Sequence, residues 1–408
     1  MAPVASQADQ GTDRLERFRA LRARLDPTGD PAHALSEGLY VEAGQAVSAR
    51  LAAELLLAPA STHLLIGGVG SGKTTELMSA QRRLNEVQDT RAFYVDVSKQ
   101  HDINKMAPGA IIVQAGLALA EGFLSEAGPQ HDRKAIEKSH GLLRDLAHGC
   151  FAEYADPGDH VPDEWVPGIL VPPDPLKPDV ENVRSHTEPI VEGMHQAWQH
   201  LVVLLDGLDR MTDIPAFEQV IEHDVKALSS LGAGVVLVGP LKALYGIERA
   251  VDQHFDQFHY HPWVDPADAL GADSFLTSVL KKRMGSAIDA GELEDLVRKS
   301  GGVLRDLLSL AQSACVEAYM RGDDTIDVFD VASAVDSFGR KHMQGLRSAE
   351  IEVLQRVLAK GTFVQTSEDD LALLMTRRVL EYRSNGRPRY AVHPTIAPFL
   401  KEMADKGQ

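Results

Sequence analysis

The sequence predicts an α/β protein: a three-layer core on a parallel five-stranded sheet, then a helical segment, then a helix-helix-hairpin segment. Three observations carry this expectation. Gly67-Gly68-Val69-Gly70-Ser71-Gly72-Lys73-Thr74-Thr75 satisfies G-x-x-x-x-G-K-[ST] and sits between an apolar run and a helical pattern. Leu201-Val202-Val203-Leu204-Leu205 is a continuous apolar run, as a parallel strand covered on both faces requires, and it ends in Asp206. Beyond residue 266 the spacing turns helical until Glu381–Val392, where Asn385-Gly386 is a two-residue hairpin signal.

In chain order, residues 1–12 read as disordered. Asp13–Leu25 places Leu15, Phe18, Leu21 and Leu25 at helical spacing, so residues 1–37 form a helical extension. Tyr40-Val41 precedes a helix carrying Val47, Leu51, Leu55 and Leu56, which ends before Pro59. His63–Ile66 is the first strand and Glu76–Leu84 the helix after the glycine-rich loop. Arg91–Val97 alternates as a second strand, and Met106–Glu126 and Arg133–Tyr154 are helices. Seven prolines lie between Asp156 and Asp179, too many for a helix, so that stretch reads as an exposed insertion, with partner binding the less common role for such a loop. Val183–Gln199 is helical, Leu201–Asp206 is the third strand, Gly234–Val238 the fourth and Phe258–His261 the fifth. The core so delimited spans 38–266.

A helical lid is expected over 267–340, with Ser274–Met284, Asp289–Ser300, and a long helix to Met320 opened by Gly301-Gly302-Val303-Leu304-Arg305. Over 341–408, helices at Ser348–Ala359 and Ser367–Leu380 followed by the hairpin have the pattern of a winged-helix domain.

Composition narrows the function. A net charge of −18 argues against a surface that grips nucleic acid or anionic membrane as a whole. The segment from Asp336 to Gln408 departs from that balance, with 12 Lys and Arg against 9 Asp and Glu. Cys150 and Cys315 lie far apart without metal-type partners, which indicates neither a disulfide framework nor a cysteine zinc site. With no apolar leader and no run long enough to span a bilayer, a cytoplasmic protein without membrane contact is expected.

The loop states its own chemistry. Its glycines let successive N–H groups curl around a phosphate, and the following helix N-terminus adds its positive dipole end. Gly67, Gly68, Val69, Gly70, Ser71, Gly72, Lys73, Thr74 and Thr75 are therefore the nucleotide-binding candidates. Lys73 supplies charge to the β/γ-phosphates, and the Thr74 hydroxyl is a ligand for Mg²⁺, which needs few protein oxygens. Asp206, at the carboxyl end of a parallel strand downstream of that loop, is the carboxylate expected on the metal side. ATP/ADP and Mg²⁺ are the expected cofactors.

Taken together, Gly67–Thr74, Leu201–Asp209 and Gly301-Gly302-x-x-Arg305 resemble the AAA+ and STAND classes of P-loop ATPases. The nearest look is to bacterial STAND-type and origin-recognition-like ATPases with a C-terminal winged helix. The resemblance implies that Lys73 and Thr74 hold phosphate and Mg²⁺, that Asp206 holds the metal's water shell, and that Arg305 reaches the γ-phosphate as a lid arginine. It also implies that Tyr40 and Val41 wall the adenine pocket, with core packing as the plainer role for both. His393 of the wing would touch the diphosphate or be simply packed. The chain departs from the AAA+ pattern twice: Gly207 replaces the acid after Asp206, leaving Asp209 as the nearest carboxylate, and Gly239-Pro240 replaces a polar residue after the fourth strand. Both point to slow hydrolysis.

Three functional readings follow. One is an ATP-controlled switch acting through a partner protein or an oligomer. Another is an ATP-controlled DNA-binding ATPase of the origin-recognition or transposition-helper kind, with Arg377, Arg378, Arg383, Arg387 and Arg389 facing phosphate. A small-molecule phosphotransferase shares the loop but has no need of lid and wing. Arg210 and Arg283 are candidates for an arginine finger.

Overall fold

The computed structural model describes residues 7–43, 46–99, 103–106, 108–126, 133–151, 180–245, 251–266, 274–365, 367–384 and 387–406. The proline-rich stretch 156–179 and the Asn385-Gly386 turn lie outside the described residues. In chain order the elements are α1 (Gln7–Arg24), α2 (Pro31–Ser36), α3 (Val47–Leu57), β1 (Thr62–Gly67), α4 (Lys73–Asn85), β2 (Thr90–Asp96), α5 (Ala110–Glu126), α6 (Arg133–Phe151), α7 (Val180–His195), β3 (His200–Asp206), α8 (Ile214–Ser230), β4 (Gly234–Val238), β5 (Gln257–His261), α9 (Phe275–Met284), α10 (Ala290–Lys299), α11 (Leu304–Arg321), α12 (Val328–Met343), α13 (Ser348–Lys360), α14 (Glu368–Met375), β6 (Val379–Ser384), β7 (Arg387–Val392) and α15 (Ala397–Lys406).

The chain divides into two compact units. One consists of Val47–Ile66 and Glu76–Tyr260; the other of Met1–Ala46, Gly67–Thr75 and His261–Gln408. In the first, the five strands form a parallel sheet in the order β2-β3-β4-β1-β5. Val202 pairs with Ala92 on one side and Gly234 on the other, and Thr62 pairs with Val235. Strand alternation sorts the side chains onto two faces. Leu65, Ala92, Val202, Leu204, Val236 and Val238 pack with Leu51, Ala52 and Leu55 of α3 and Leu77, Ala80 and Leu84 of α4. On the other face Phe93 meets α5 so closely that a Cβ at Gly122 would lie 2.2 Å from its ring, and Leu64 and Phe217 of α8 flank Gly239. The sheet is covered on both sides, as its unbroken apolar strands require.

Two buried carboxylates fasten helices in this unit. Glu76 Oε2 accepts the Ser48 N–H at 2.8 Å. Asp224 of α8 accepts the N–H groups of Gly109 at 2.6 Å and Ile111 at 2.8 Å, supplying the donors at the start of α5 with the acceptor they lack within the helix.

In the other unit, Phe18, Leu21 and Leu25 of α1 join Leu276, Leu280, Leu296, Leu307, Leu310, Ala311 and Ala314 in one core. Helix α1 begins at Gln7, inside the stretch 1–12 that the sequence reads as disordered; residues 7–12 carry no apolar periodicity, so the spacing does not announce the helix there. Helix α14 ends at Met375, whereas the periodicity carries it to Leu380; Arg377 adopts φ 60°, turns the chain, and sends Leu380 into β6 instead. Strands β6 and β7 pair antiparallel from Val379 with Val392 to Ser384 with Arg387.

Candidate functional site

Strand β1 delivers the chain to the loop at Gly67, and α4 starts at Lys73. A tight turn, Ser71 N–H to Gly68 O at 3.2 Å, and positive φ at Gly70 (78°) and Gly72 (107°) shape what lies between. Lys73 is buried, and its ammonium donates to Gly67 O and Gly68 O, both at 3.1 Å. Thr74 and Thr75 sit half-buried in the first turn of α4.

Three donors from the chain after β5 hold the outer side of this loop. The Trp263 indole N–H donates to Val69 O at 3.2 Å, the Arg305 backbone N–H to Gly70 O at 3.2 Å, and His261 Nε2 to Ser71 O at 3.0 Å. A carbonyl only accepts, so His261 carries its proton on Nε2. In a trans peptide the C=O and the next N–H point in opposite directions. The N–H groups of Gly70, Ser71 and Gly72 thus face away from Trp263, Arg305 and His261, with that of Ser71 in the turn to Gly68. The approach is close: a Cβ at Gly68 would lie 2.2 Å from the Trp263 ring, and one at Gly70 2.7 Å from Arg305 Cβ. Two of the motif's glycines are therefore needed for packing as well as for curvature.

The Gly301-Gly302 pair is explained the same way. Both have positive φ, and a Cβ at Gly302 would lie 1.6 Å from Val264 O. Trp263, Val303, Leu380 and Tyr382 form a small buried cluster, and the Tyr382 hydroxyl donates to Gly301 O at 2.7 Å. Burial pushes the Tyr382 hydroxyl well above its ordinary range, so it remains a donor. Arg305 is exposed at the start of α11, and its backbone N–H is bonded to Gly70 O.

Tyr40 and Val41 belong to the same unit. Tyr40 O accepts from Lys282 Nζ at 2.8 Å, and Val41 packs against the α1–α9–α11 core. Arg283, a finger candidate, donates instead to Leu39 O at 2.9 Å, and burial lowers its pKa.

Four of the arginines expected to face DNA, Arg377, Arg378, Arg383 and Arg389, are engaged within the unit. Arg377 Nε lies 2.8 Å from the buried carboxylate of Asp306; it is an internal ion pair, not a surface cation. Arg378 donates to His342 O at 2.9 Å and Gln344 O at 2.8 Å. Arg383 bonds Glu381 at 2.7 Å, and Arg389 makes a two-point contact with Asp265 while its guanidinium lies 4.4 Å from the Tyr382 ring centre. The side chain of Arg387 lies outside the described residues. His393 is buried and its Nε2 lies 3.5 Å from Asp306; Thr395 N–H donates to its Nδ1 at 3.3 Å, which leaves the ring proton on the Asp306 side.

The other unit carries the acidic residues. Asp96 and Asp206 are register partners at the carboxyl ends of β2 and β3. Asp206 is buried; one oxygen accepts the Tyr94 hydroxyl at 3.0 Å and the other the Gly207 N–H at 2.8 Å. Gly207 has φ 94°, and a Cβ there would lie 2.9 Å from Asp96 Oδ1 and 2.8 Å from Ser98 Oγ. A side chain at position 207 would thus be strained by the positive φ and crowded by Asp96 and Ser98. Asp209 lies in the short turn Leu208–Arg210, and Arg210 donates to Ser98 Oγ at 3.2 Å. Tyr94 and Asp96 were not among the sequence candidates. The one available signal was an Asp closing the second strand as Asp206 closes the third.

No protein-family model matches the chain, and no curated protein matches it. Among solved structures, the Aeropyrum pernix Orc1 protein in complex with DNA is similar over 89% of this chain and 93% of its own, at 15% identity and a TM-score of 0.45. Cdc6p from Pyrobaculum aerophilum is similar over 90% and 96%, at 10% identity and 0.44. The Thermotoga maritima RuvB Holliday junction branch migration motor is similar over 89% and 98%, at 12% and 0.41. Likenesses this distant assign nothing to individual residues.

Proposed function

We propose that the chain is an ATP-binding, slowly hydrolysing molecular switch, in which the nucleotide state of the Gly67–Thr75 loop biases the helical and hairpin elements that follow β5. The observation that carries this is the Arg305 N–H to Gly70 O hydrogen bond, reinforced by Trp263 on Val69 and His261 on Ser71. Any rearrangement of the loop around an anion must move these three donors or break their bonds.

The residues fit a phosphate group. A buried ammonium parked on two carbonyls, Gly67 O and Gly68 O, can exchange those partners for charged oxygens, with which its hydrogen bonds are stronger. The N–H groups around Gly70 and Gly72 and the N-terminus of α4 would receive the β-phosphate, and Thr74 would ligate Mg²⁺. When bound, Mg²⁺ neutralises charge on the β- and γ-phosphates. Asp206 is proposed as the carboxylate of the metal's water shell from its position at the end of β3, with Asp209 as the nearest base. Gly207 and Gly239-Pro240 support slow turnover, since neither position supplies an acid or a γ-phosphate sensor. The output would pass through a protein partner or a homo-oligomer.

The ATP-controlled DNA-binding reading is less favoured, because Arg377 and Arg378 are engaged inside the unit. Light scattering and titration calorimetry with Mg²⁺-ATP or ADP, on the wild type and Lys73→Ala, separate the readings. Lys73→Ala is expected to weaken nucleotide at least about 10²-fold, the equivalent of one to two charge-assisted hydrogen bonds. ATP-dependent mass growth that ignores duplex DNA supports the switch. ATP-dependent co-elution with DNA favours the other reading, and absence of nucleotide binding refutes both.

A further inference from the structure

The first unit holds a cluster that the nucleotide reading leaves unused. Glu54 lies on α3 and His63 on the next element, β1, while His259, almost two hundred residues on, lies on the edge strand β5 and is brought to them by the pairing of β5 with β1. His63 Nδ1 is 3.0 Å from His259 Nε2, Glu54 Oε2 is 3.2 Å from His259 Nε2, and Glu54 Oε2 is 3.6 Å from His63 Nδ1. Both rings are buried, and the Glu54 side chain is 25% exposed. We propose that Glu54, His63 and His259 form a divalent transition-metal site, of the Zn²⁺ type, that pins the edge strand β5 to β1 and α3.

Donor identity, protonation and size all bear on this. Two imidazole nitrogens and one carboxylate oxygen suit Zn²⁺ and its first-row neighbours, whereas Mg²⁺ and Ca²⁺ take oxygen ligands. The tautomer of His63 is fixed from outside: the Ser61 hydroxyl donates to Ala58 O at 2.6 Å, so at 2.8 Å it accepts the Nε2 proton of His63. Nδ1 of His63 is thereby a bare lone pair aimed at the cluster, held by the kind of outer partner that orients metal-ligating histidines. His259 enters the same state by carrying its single ring proton on Nδ1 in place of Nε2, with no change in net charge. Arg50 binds the other carboxylate oxygen, Oε1 of Glu54, at 2.8 Å and leaves Oε2 for the cluster. Asp256, which bonds Thr62 at the start of β1, adds a second negative charge toward His63.

For a metal–ligand bond of about 2.05 Å, tetrahedral donors lie about 3.3 Å apart. The observed triangle of 3.0, 3.2 and 3.6 Å is one face of such a tetrahedron to within a few tenths of an ångström. The fourth position would take water on the partly exposed Glu54 side.

The competing account is a hydrogen-bonded pair of histidines that holds only a proton, and the distances alone admit it. The test uses full-length, tag-free protein stripped with chelator and titrated with Co²⁺, then with Zn²⁺, followed by optical absorption, metal analysis and thermal unfolding. The proposal expects one Co²⁺ per chain with a tetrahedral visible d–d band, its displacement by Zn²⁺, and a raised melting temperature. Glu54→Gln and His259→Gln should lose the band and bind at least about 100-fold more weakly, and Ser61→Ala about 10-fold more weakly. All three should keep the circular dichroism of the wild type and its nucleotide affinity. No stoichiometric binding, or binding that survives Glu54→Gln and His259→Gln unchanged, overturns it. The nucleotide readout of the same samples tests the switch separately.

Discussion

Replacing Arg377 by Ala tests whether the ion pair with Asp306 is structural. Asp306 is almost fully buried and the Arg377 side chain is 18% exposed, so the pair lies largely out of water. Removing one partner of such a pair strands the other charge, at a cost of about 3–5 kcal/mol. His393, 3.5 Å from the same oxygen, retains part of the compensation, which places the expectation toward about 3 kcal/mol. Asp306→Asn in the Arg377→Ala background removes the stranded charge and should recover about half of the loss, giving a large coupling in a double-mutant cycle. Because Arg377 sits at φ 60°, Arg377→Gly should be less destabilising than Arg377→Ala, by at most about 1 kcal/mol, the αL penalty less glycine's entropy. Burial pushes the Asp306 carboxyl up, but the hydrogen bond from His393 and the Arg377 charge outweigh it and hold it below its ordinary 3.8. The stability it contributes is therefore complete above pH 3.8 and is lost as pH falls below that value. The assay is urea unfolding followed by Trp263 fluorescence, with Trp165→Phe and Trp198→Phe in every variant. A loss under about 1 kcal/mol for Arg377→Ala, in the range of a surface pair, would refute the reasoning.

Two further outcomes follow from the geometry. Gly68→Ala places a methyl 2.2 Å from the Trp263 ring, so it should cost about 1–3 kcal/mol of overpacking and weaken nucleotide binding; Trp263→Leu should restore part of both in the double variant, and failure of any rescue would show that the clash is not the cause. Burial, with the nearby His393, lowers His342 from 6.5 to about 4. The unfolded chain then binds more protons than the folded one between those values, so stability should fall as pH drops from 6.5 toward 4, and His342→Gln should flatten that limb in pH-dependent melting curves.

What was legible in the sequence is what local chemistry encodes. The loop, the unbroken apolar strands and the Asp that closes β3 are each specified by neighbours within a few residues, and the five strands fall within a residue or two of their expected positions. The helix carried through to Leu380 shows the limit of such reading. Thr376, Arg377 and Arg378 have acceptable helix propensity, and what stops α14 is the draw of Asp306 on Arg377 and of the His342 and Gln344 carbonyls on Arg378, from elements over thirty residues away. The same contacts turn two arginines that look like a phosphate-facing patch into internal fasteners. In the sequence Gly301-Gly302 points to the arginine after it, yet its glycines answer to Val264 O and Leu380. Glu54, His63 and His259 were silent for the same reason. Each reads locally as an ordinary helix or strand residue, and only the pairing of β5 with β1, which no local pattern encodes, gives the three donors a common centre. The common centre depends on the sheet's topology, so a variant that keeps all three residues but loosens the start of β1 against Asp256, such as Thr62→Val with its two lost hydroxyl bonds, should weaken Co²⁺ binding without touching a ligand.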